Sequence, residues 1–571
     1  MKNQQVADLL YEIADLLDIK GEIFFKTRAY RMAAQKIEVL DEDIEKIVEE
    51  EKLKDIPGIG KAISGKIIEY IKTGKLKYFE ELKKEIPEDL LKMLKIPGLG
   101  PKKVSAIYKN LNIKTIDKLA DAARNKKLRD LEGFGEITEL NILRGINLMK
   151  KTTGRSLLNV ADFDGNHYIK YLEKCKHIKK LSLAGSLRRR KDTIGDIDIL
   201  VSSDEPNLVM DFFVKYSNVQ RVLLKGATKT SVILDDNIQV DLRVVEPRSF
   251  GSALQYFTGS KEHNVKIRGI AIKKGYKLNE YGLFDKKTEE YIVGKDETEI
   301  YKKLGLQYIE PELRENRGEF KYAVKNKLPV LLKKDDICGD LHVHSDYSDG
   351  YEKIEDIADK AKKLGYEYIG IADHSQSLKI ARGLSEERIN KKMKHIERIN
   401  NKIKDLKVFC GTECDIKKDG ILDYPDKVLK KLDYVGIGIH TNFKMTEEQA
   451  TKRIIKGIEN PYVTFLAHPT CRMIGRREAF ELDIEQIFDA AKDNNVYLEI
   501  NSFPDRLDLN DLHVKQGKDH GNSFVINTDS HSLEHMEFMC FGVSVARRGW
   551  LEKKDVLNTR SLTELEKIIG G

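Results

Sequence analysis

The sequence predicts a multidomain chain of three unlike parts: an all-α N-terminal region built on helix-hairpin-helix turns, an α+β middle, and a C-terminal (β/α)7 barrel. Three observations predict it. An apolar, turn, Gly, apolar, Gly pattern recurs three times before residue 150; aspartates alternate with aliphatic residues at Asp196-Ile197-Asp198-Ile199; and seven apolar strands separated by amphipathic helices lie beyond residue 338. At 571 residues the chain exceeds one core, and about 100 to 200 residues per domain gives three to five domains.

Charged residues make up 34% of the chain, with 100 Lys and Arg against 93 Asp and Glu. The net charge of +7 permits a nucleic-acid partner without requiring one. Six cysteines stand at irregular spacing with no Cys-x-x-Cys, which fits reduced thiols and a cytoplasmic protein. The N-terminus is polar within two residues, and no apolar run approaches the roughly 18 residues that span a bilayer, so neither export nor a membrane partner is expected.

In the N-terminal region the repeated segments are Ile56-Pro57-Gly58-Ile59-Gly60-Lys61, Ile96-Pro97-Gly98-Leu99-Gly100-Pro101 and Leu131-Glu132-Gly133-Phe134-Gly135-Glu136. Glycines at Gly58, Gly60, Gly98, Gly100, Gly133 and Gly135 let the backbone turn tightly and bring N–H groups at a helix start against a phosphate. This device holds a DNA backbone without reading its sequence. One copy is ordinary loop chemistry; three in one chain point to DNA.

The middle region centres on Gly185 to Val201. Ile197, Ile199 and Val201 alternate with Asp196 and Asp198, which places both carboxylates on one face of a strand. Two hard oxygen ligands side by side suit a magnesium ion, and Asp241 in Gln239-Val240-Asp241-Leu242 offers a third from a neighbouring strand. That is a two-metal phosphoryl-transfer arrangement. Gly185-Ser186 lets backbone N–H groups approach a phosphate, and Arg188 to Lys191 add charge for the same anion.

In the last third the candidate strands end at His344, His374, Glu413, His440, His468, Asn501 and His531. Barrels of this type keep their chemistry at that rim. Ten of the thirteen histidines lie here, and nine side chains converge as candidate ligands: His342, His344, Asp349, His374, Glu413, His440, His468, Asp529 and His531. Mixed imidazole and carboxylate donors suit zinc, manganese or iron, with enough groups for two or three ions. Arg382 and Arg476, in loops after rim strands, are candidate phosphate contacts.

Gly-Ser, two arginines, Asp-Ile-Asp and a distal Val-Asp-Leu-Arg together resemble the nucleotidyltransferase palm of family X DNA polymerases. The resemblance continues through Tyr256-Phe257-Thr258-Gly259-Ser260, Asn264, Arg268 and Asn279-Glu280-Tyr281-Gly282-Leu283-Phe284. It implies that Asp196, Asp198 and Asp241 are catalytic and bind Mg2+ or Mn2+, and that Ser186 and Arg189 hold a triphosphate. Tyr256 and Phe257 would pack against the sugar, with Gly185 and Gly259 in the same nucleotide site, and Asn264 and Arg268 would lie along the minor groove. Animal relatives carry arginine where this chain has Gln239, a residue that positions the catalytic acid. Residues 1–84 resemble the same family's small N-terminal domain, with Lys66 at the position that forms a Schiff base with deoxyribose phosphate in some members, and Lys26, Tyr30 and Arg31 matching as well. Phe25 and Ala62 stand where lyase-active relatives carry polar residues, which leaves Lys66 as either a lyase nucleophile or a phosphate ligand. The last third resembles the polymerase-and-histidinol-phosphatase (PHP) domain, a metal-dependent phosphoesterase family, with every ligand position filled.

The expected domains are a lyase-like DNA-binding domain at 1–84, a duplex-binding helix-hairpin-helix domain at 85–150, the palm at 151–255, a nucleotide-selection domain at 256–318, a lysine-rich linker at 319–337 and the PHP domain at 338–571. The expected function is gap-filling DNA synthesis on gapped or primer-template DNA from deoxynucleoside triphosphates. A barrel with two to three Mn2+, Zn2+ or Fe ions would act on 3′ ends as 3′-5′ exonuclease, 3′-phosphatase or abasic-site endonuclease, all in one monomeric chain. Two readings compete: an impaired polymerase that delivers ends to an active barrel, and a non-catalytic scaffold.

Overall fold

Val6, Leu9, Leu10, Ile13, Leu16 and Leu17 recur at the three-and-four spacing of one helical face, and they form the buried side of helix Lys2–Lys20 in the computed structural model of the chain. The structure describes residues 2–569 except 23, 39–43, 51, 57–58, 88–89, 91–92, 95, 97–98, 130, 132, 137, 141, 144 and 147–153. The chain forms two compact units, Met1–Thr153 with Gly475–Glu478 and Gly154–Ile474 with Ala479–Gly571.

The first unit is helical as expected. Lys2–Lys20 packs on Phe24–Glu38 and Pro101–Leu111, and Ile63, Ile67, Phe79, Val104 and Ile107 extend the same core. Gly60 (φ −77°, ψ 166°) stands directly before helix Lys61–Thr73, and Gly100 (φ −75°, ψ 170°) before Pro101–Leu111. Neither backbone requires glycine, and a Cβ at either position would meet no described atom within 4 Å. The fold therefore leaves open space over both. Gly133, at φ 79°, does need its conformational freedom, and Gly135 is again open. Gly58 and Gly98 lie outside the described residues.

The second unit begins with a five-stranded sheet of β1 (Lys180–Leu183), β2 (Asp196–Ser202), β3 (Val219–Lys225), β4 (Lys229–Leu234) and β5 (Gln239–Val245), in the order β1-β2-β5-β4-β3. β2 and β5 run parallel, with Asp198 paired to Asp241, and the other pairs are antiparallel. Ile197, Ile199, Val240 and Leu242 fill the core below, against helix Leu158–Leu172. A smaller antiparallel sheet follows: β6 (Tyr276–Asn279), β7 (Gly282–Asp285) and β8 (Tyr291–Val293). Ile267, Leu278, Leu283, Ile300 and Tyr301 make its core.

The segment expected as a linker, 319–337, is not a loose tether. It forms the helix Glu319–Ala323, and Phe320, Ala323, Leu328 and Leu331 are buried in the core of the smaller sheet together with Trp550. Phe320, Ala323, Leu328 and Leu331 pack between lysines that stay at the surface.

The barrel has the seven expected strands, all parallel and in chain order: β9 (Gly339–Val343), β10 (Tyr368–Ile371), β11 (Lys407–Asp415), β12 (Tyr434–Gly438), β13 (Phe465–Leu466), β14 (Tyr497–Asn501) and β15 (Phe524–Asn527). The first and last strands meet through His344 N–H to Ser530 O at 2.8 Å and Leu341 N–H to Asn527 Oδ1 at 3.0 Å. Below them the buried Asn558 donates to Gly339 O (2.7 Å) and Ile526 O (2.5 Å) and accepts from Ile526 N–H (3.0 Å), tying β9 to β15. Removing that amide strands buried backbone groups on two strands. Asn558→Leu is expected to cost about 3 kcal/mol or more, at about 1 to 3 kcal/mol for each of the three groups left unsatisfied. Denaturant unfolding followed by Trp550, the one tryptophan of the chain, measures it.

Two candidate metal centres

Parallel pairing of β2 with β5 brings carboxylate oxygens of Asp196, Asp198 and Asp241 within 4.8 Å of one another. Burial, then the charges of Asp196 and Asp241, push the Asp198 carboxyl up to about 7. Asp196 shifts upward for the same reasons, with burial first and Asp241 next. Burial would raise Asp241 too, but bonds from Lys229, Ser231 and Gln239 hold it low. Lys229 Nζ lies 2.6 Å from Asp241 Oδ2, and Gln239 Nε2 donates to Oδ1 at 2.8 Å. So Gln239 still orients the acid, and Lys229 on β4 supplies the positive charge that an arginine would have brought. Three carboxylates this close, one pair unbridged, form a donor set that suits a divalent cation.

Gly185 turns over this cluster at φ 60°, and a Cβ there would strike Asp198 Oδ2 at 2.0 Å. Ser186 follows in the short helix Gly185–Arg188. The basic run does not offer free charge throughout. Arg188 makes two bonds to Glu297 (3.0 and 2.7 Å) and one to Thr258 Oγ1 (2.6 Å), while Arg190 pairs with Asp162. Carboxylates distant in sequence claim both. Arg189 is held by Glu315 (3.1 Å) and by Thr258 O (2.5 Å), next to Gly259, where a Cβ would lie 3.1 Å from its Nη1.

Tyr256 and Phe257 meet edge to face, and Phe257 also lies 4.3 Å from the Arg243 guanidinium. Phe257, Arg243, Tyr281, Phe284 and Tyr291 line a cavity of about 880 Å³. Asn264 Nδ2 donates to Tyr256 O (2.7 Å), and Arg268 Nε donates to Asn264 O (3.2 Å), one turn further along the same helix face.

At the barrel rim the nine expected residues come together. His344, Asp349, His374 and His531 form one group, His342, His344 and Asp529 a second, and His374, Glu413 and His440 a third, each with donor atoms within 4.8 Å. Glu413 is the hub, with His342 at 3.4 Å, His374 at 3.0 Å, His440 at 2.9 Å and His468 at 2.8 Å. His344 Nδ1 and His374 Nδ1 are buried and, among the described residues, make no well-aligned hydrogen bond, although they lie 3.6 Å from Asp349 Oδ1 and 3.0 Å from Glu413 Oε2. Orphaned imidazole nitrogens facing carboxylates fit metal ions, which the donor set would hold in as many as three places. Burial would lower His342, yet Glu499, Glu413 and Asp529 together raise it well above its ordinary value. Burial would likewise raise Glu413 and Asp529, but the surrounding imidazoles hold Glu413 well below its ordinary value, and imidazoles with Arg506 do the same for Asp529.

Family models match along most of the chain: a helix-hairpin-helix domain at 1–76, a SAM-like helix-hairpin-helix tandem at 88–147, the DNA polymerase beta thumb at 253–315 and the PHP domain at 340–503. The DNA polymerase/3′-5′ exonuclease PolX of Bacillus subtilis is 38% identical over all of this chain and 99% of its own. The chain belongs to the family X DNA polymerases that carry a PHP domain. Other relatives match only part of the chain. A probable phosphatase of Thermoanaerobacter is 28% identical over 41% of this chain and 97% of its own length. The repair DNA polymerase X of African swine fever virus is 30% identical over 24% of this chain and 82% of its own.

Several residues of this family X chain escape a linear reading. Glu499 accepts from His342 Nδ1 and from the His468 N–H, both at 2.7 Å, and so fixes the ring and the loop of two candidate ligands. Asp415 does the same for His440, with N–H at 2.9 Å and Nδ1 at 3.3 Å. Arg382 and Arg476, offered by the sequence as candidate phosphate contacts or plain surface arginines, are exposed. The guanidinium at the centre is instead Arg506, with Nε 3.4 Å from Asp529 Oδ2. A buried carboxylate inside an apolar strand, as at Tyr497-Leu498-Glu499-Ile500, was the available signal for Glu499.

In the first unit, Lys66 lies on Lys61–Thr73 with its ammonium 4.5 Å from the Tyr78 ring and 6.0 Å from Tyr30. Burial, then the nearby Lys26, lowers its pKa. Arg31 is paired with Asp15 and Asp18, and Lys26 with Glu22. Phe25 is 76% exposed.

A metal that binds only ionised Asp198 must displace its proton. Apparent Mg2+ affinity at the palm is therefore expected to fall about tenfold per pH unit below 7 and to level off above it. Calorimetric Mg2+ titration at pH 6, 7 and 8 checks this against Asp198→Asn; proton release that the substitution leaves unchanged refutes it.

Proposed function

We propose that the chain is a DNA repair polymerase that fills short gaps by template-directed synthesis and cleans 3′ ends with its barrel. The observation that carries the reading is the convergence of two separate donor sets, three carboxylates in the sheet and nine side chains at the barrel rim, in one chain. The full-length relative is named for both a polymerase and a 3′-5′ exonuclease, and the viral relative for repair.

In the palm, Asp196, Asp198 and Asp241 would hold Mg2+ or Mn2+, which supplies charge stabilisation for in-line transfer. Gly185, Ser186 and Arg189 hold the triphosphate. Tyr256, Phe257 and Gly259 frame the sugar, and Asn264 and Arg268 follow the minor groove of gapped or primer-template DNA. Gln239 and Lys229 share the work of orienting Asp241.

At the barrel rim the nine residues would hold two to three Mn2+, Zn2+ or Fe ions, which supply an activated water for phosphodiester cleavage. Glu499 and Asp415 fix the imidazoles. The leading activity is 3′-5′ exonuclease; 3′-phosphatase and abasic-site endonuclease use the same attack on phosphorus, and the likeness to probable phosphatases supports that breadth. Open space over Gly60, Gly100 and Gly135 supports approach of a DNA backbone to the hairpins. One copy carries both centres whole, so a monomer in the cytoplasm suffices.

For Lys66 the pKa lowered by burial and by Lys26 favours the lyase role over simple phosphate binding, because only a neutral amine attacks a sugar aldehyde.

The deciding experiment follows a labelled primer on a one-nucleotide-gapped duplex with Mn2+, with and without deoxynucleotides. Asp196→Ala/Asp198→Ala is expected to shorten the primer but never extend it, and His342→Ala/His344→Ala to extend it but never shorten it. Extension by the palm variant, or shortening by the rim variant, refutes the assignment. Borohydride trapping on a 5′-deoxyribose phosphate end is expected to cross-link the wild type and not Lys66→Ala; equal trapping leaves Lys66 a phosphate ligand.

A further inference from the structure

The loop between Arg188 and the first acid Asp196 is gripped from two sides. On the polymerase side, Arg189 donates Nε to Glu315 Oε1 at 3.1 Å and Nη1 to Thr258 O at 2.5 Å. On the barrel side, Arg548 donates Nη1 to the carbonyl of that same Arg189 at 2.7 Å and to Glu315 Oε1 at 3.0 Å, and Nη2 to Asp511 Oδ2 at 2.6 Å. One turn back on helix Met539–Arg548, Ser544 Oγ accepts from Arg190 Nε at 3.0 Å. Beyond it, Arg472 reaches Asp192 Oδ2 at 3.1 Å.

The arrangement is more than general packing. Arg548 is 3% exposed, a buried guanidinium whose fork meets two carboxylates and a carbonyl. Glu315 serves Arg189 and Arg548 with one oxygen, so the place of one cation fixes the other. With Nε and Nη1 engaged, the plane of Arg189 is set, and its Nη2 makes no bond among the described residues. That amine is what remains for an anion.

We infer that Arg548 is a positioning residue of the polymerase nucleotide site: through Glu315 and the Arg189 carbonyl it aims Arg189 at the triphosphate. The PHP helix is thereby a structural part of the polymerase's substrate site. The inference rests on the reading of Arg189 as a triphosphate ligand, and the test separates the two.

Single-nucleotide insertion on a gapped duplex is measured with the full chain for wild type, Arg548→Lys, Arg548→Met, Glu315→Gln and Arg189→Ala, with 3′-5′ exonuclease activity on the same duplex as an internal control of folding. Arg548→Met and Glu315→Gln are expected to raise KM for the deoxynucleotide about tenfold, which corresponds to about 1.4 kcal/mol, with kcat and exonuclease activity within about twofold of wild type. Arg548→Lys keeps the charge but not the fork and is expected to fall between. Combined with Arg189→Ala, Arg548→Met should add nothing further. An unchanged KM in Arg548→Lys and Glu315→Gln, with Arg189→Ala raised, overturns the inference and leaves the Arg189 reading standing. An unchanged KM in Arg189→Ala overturns both. Joint loss of polymerase and exonuclease in Arg548→Met, with unchanged KM in Arg548→Lys, shows a mere brace and overturns the inference.

Discussion

Like charges brought together and shielded from water must be settled by something of opposite sign, and the second unit is arranged around that constraint. Glu413, 1% exposed, faces five imidazoles, those of His342, His344, His374, His440 and His468. Asp198 faces Asp196 and Asp241. In the barrel the offset comes from imidazoles such as His342 and His374, whose charged form the neighbouring carboxylates favour; in the sheet it comes in part from Lys229, beside an Asp198 carboxyl that burial and its neighbours push up to about 7. The parallel sheet register, the glycine at Gly185 and the second layer of Glu499 and Asp415 all serve to hold those groups at bonding distance without collapse.

Much of this is legible in the linear chain where period and position coincide. The alternation at Asp196 to Val201 gave the strand and its polar face, because a strand's side chains alternate regardless of what it pairs with. Most of the barrel ligands were legible because they sit at or just past the end of an apolar run, where a parallel strand must stop, and Asp349 alone comes from a loop further on. Lys229 carried no such mark. It reaches Asp241 only through antiparallel register with β5, and register is a tertiary property. Arg188 and Arg190 show the converse: a dense basic run looked like one anion site, yet Glu297 and Asp162, far away in sequence, claim its members singly. The 319–337 segment misled in the same way, since lysines between apolar residues describe a packed amphipathic stretch as well as a tether.

The substitution at Gln239 illustrates how a site keeps its geometry while changing its parts. An amide can donate the bond that aims Asp241, but it cannot supply charge. The charge arrives from the next strand over, where Lys229 lies beside the same carboxylate. Aiming and neutralising are thus separable tasks, and the sheet assigns them to neighbours rather than to one side chain.

Asn558 has a temporal meaning as well. The groove between β9 and β15 is sealed by a residue close to the end of the chain, and Asp529 and His531 also belong to that last stretch. Chains emerge from the ribosome N-terminus first and fold by domains. The helical hairpins and the five-stranded sheet are therefore made while the rim still lacks Asp529 and His531, and Arg548, which bonds the Arg189 carbonyl, is made later still. During synthesis both centres thus wait on the same last stretch of the chain.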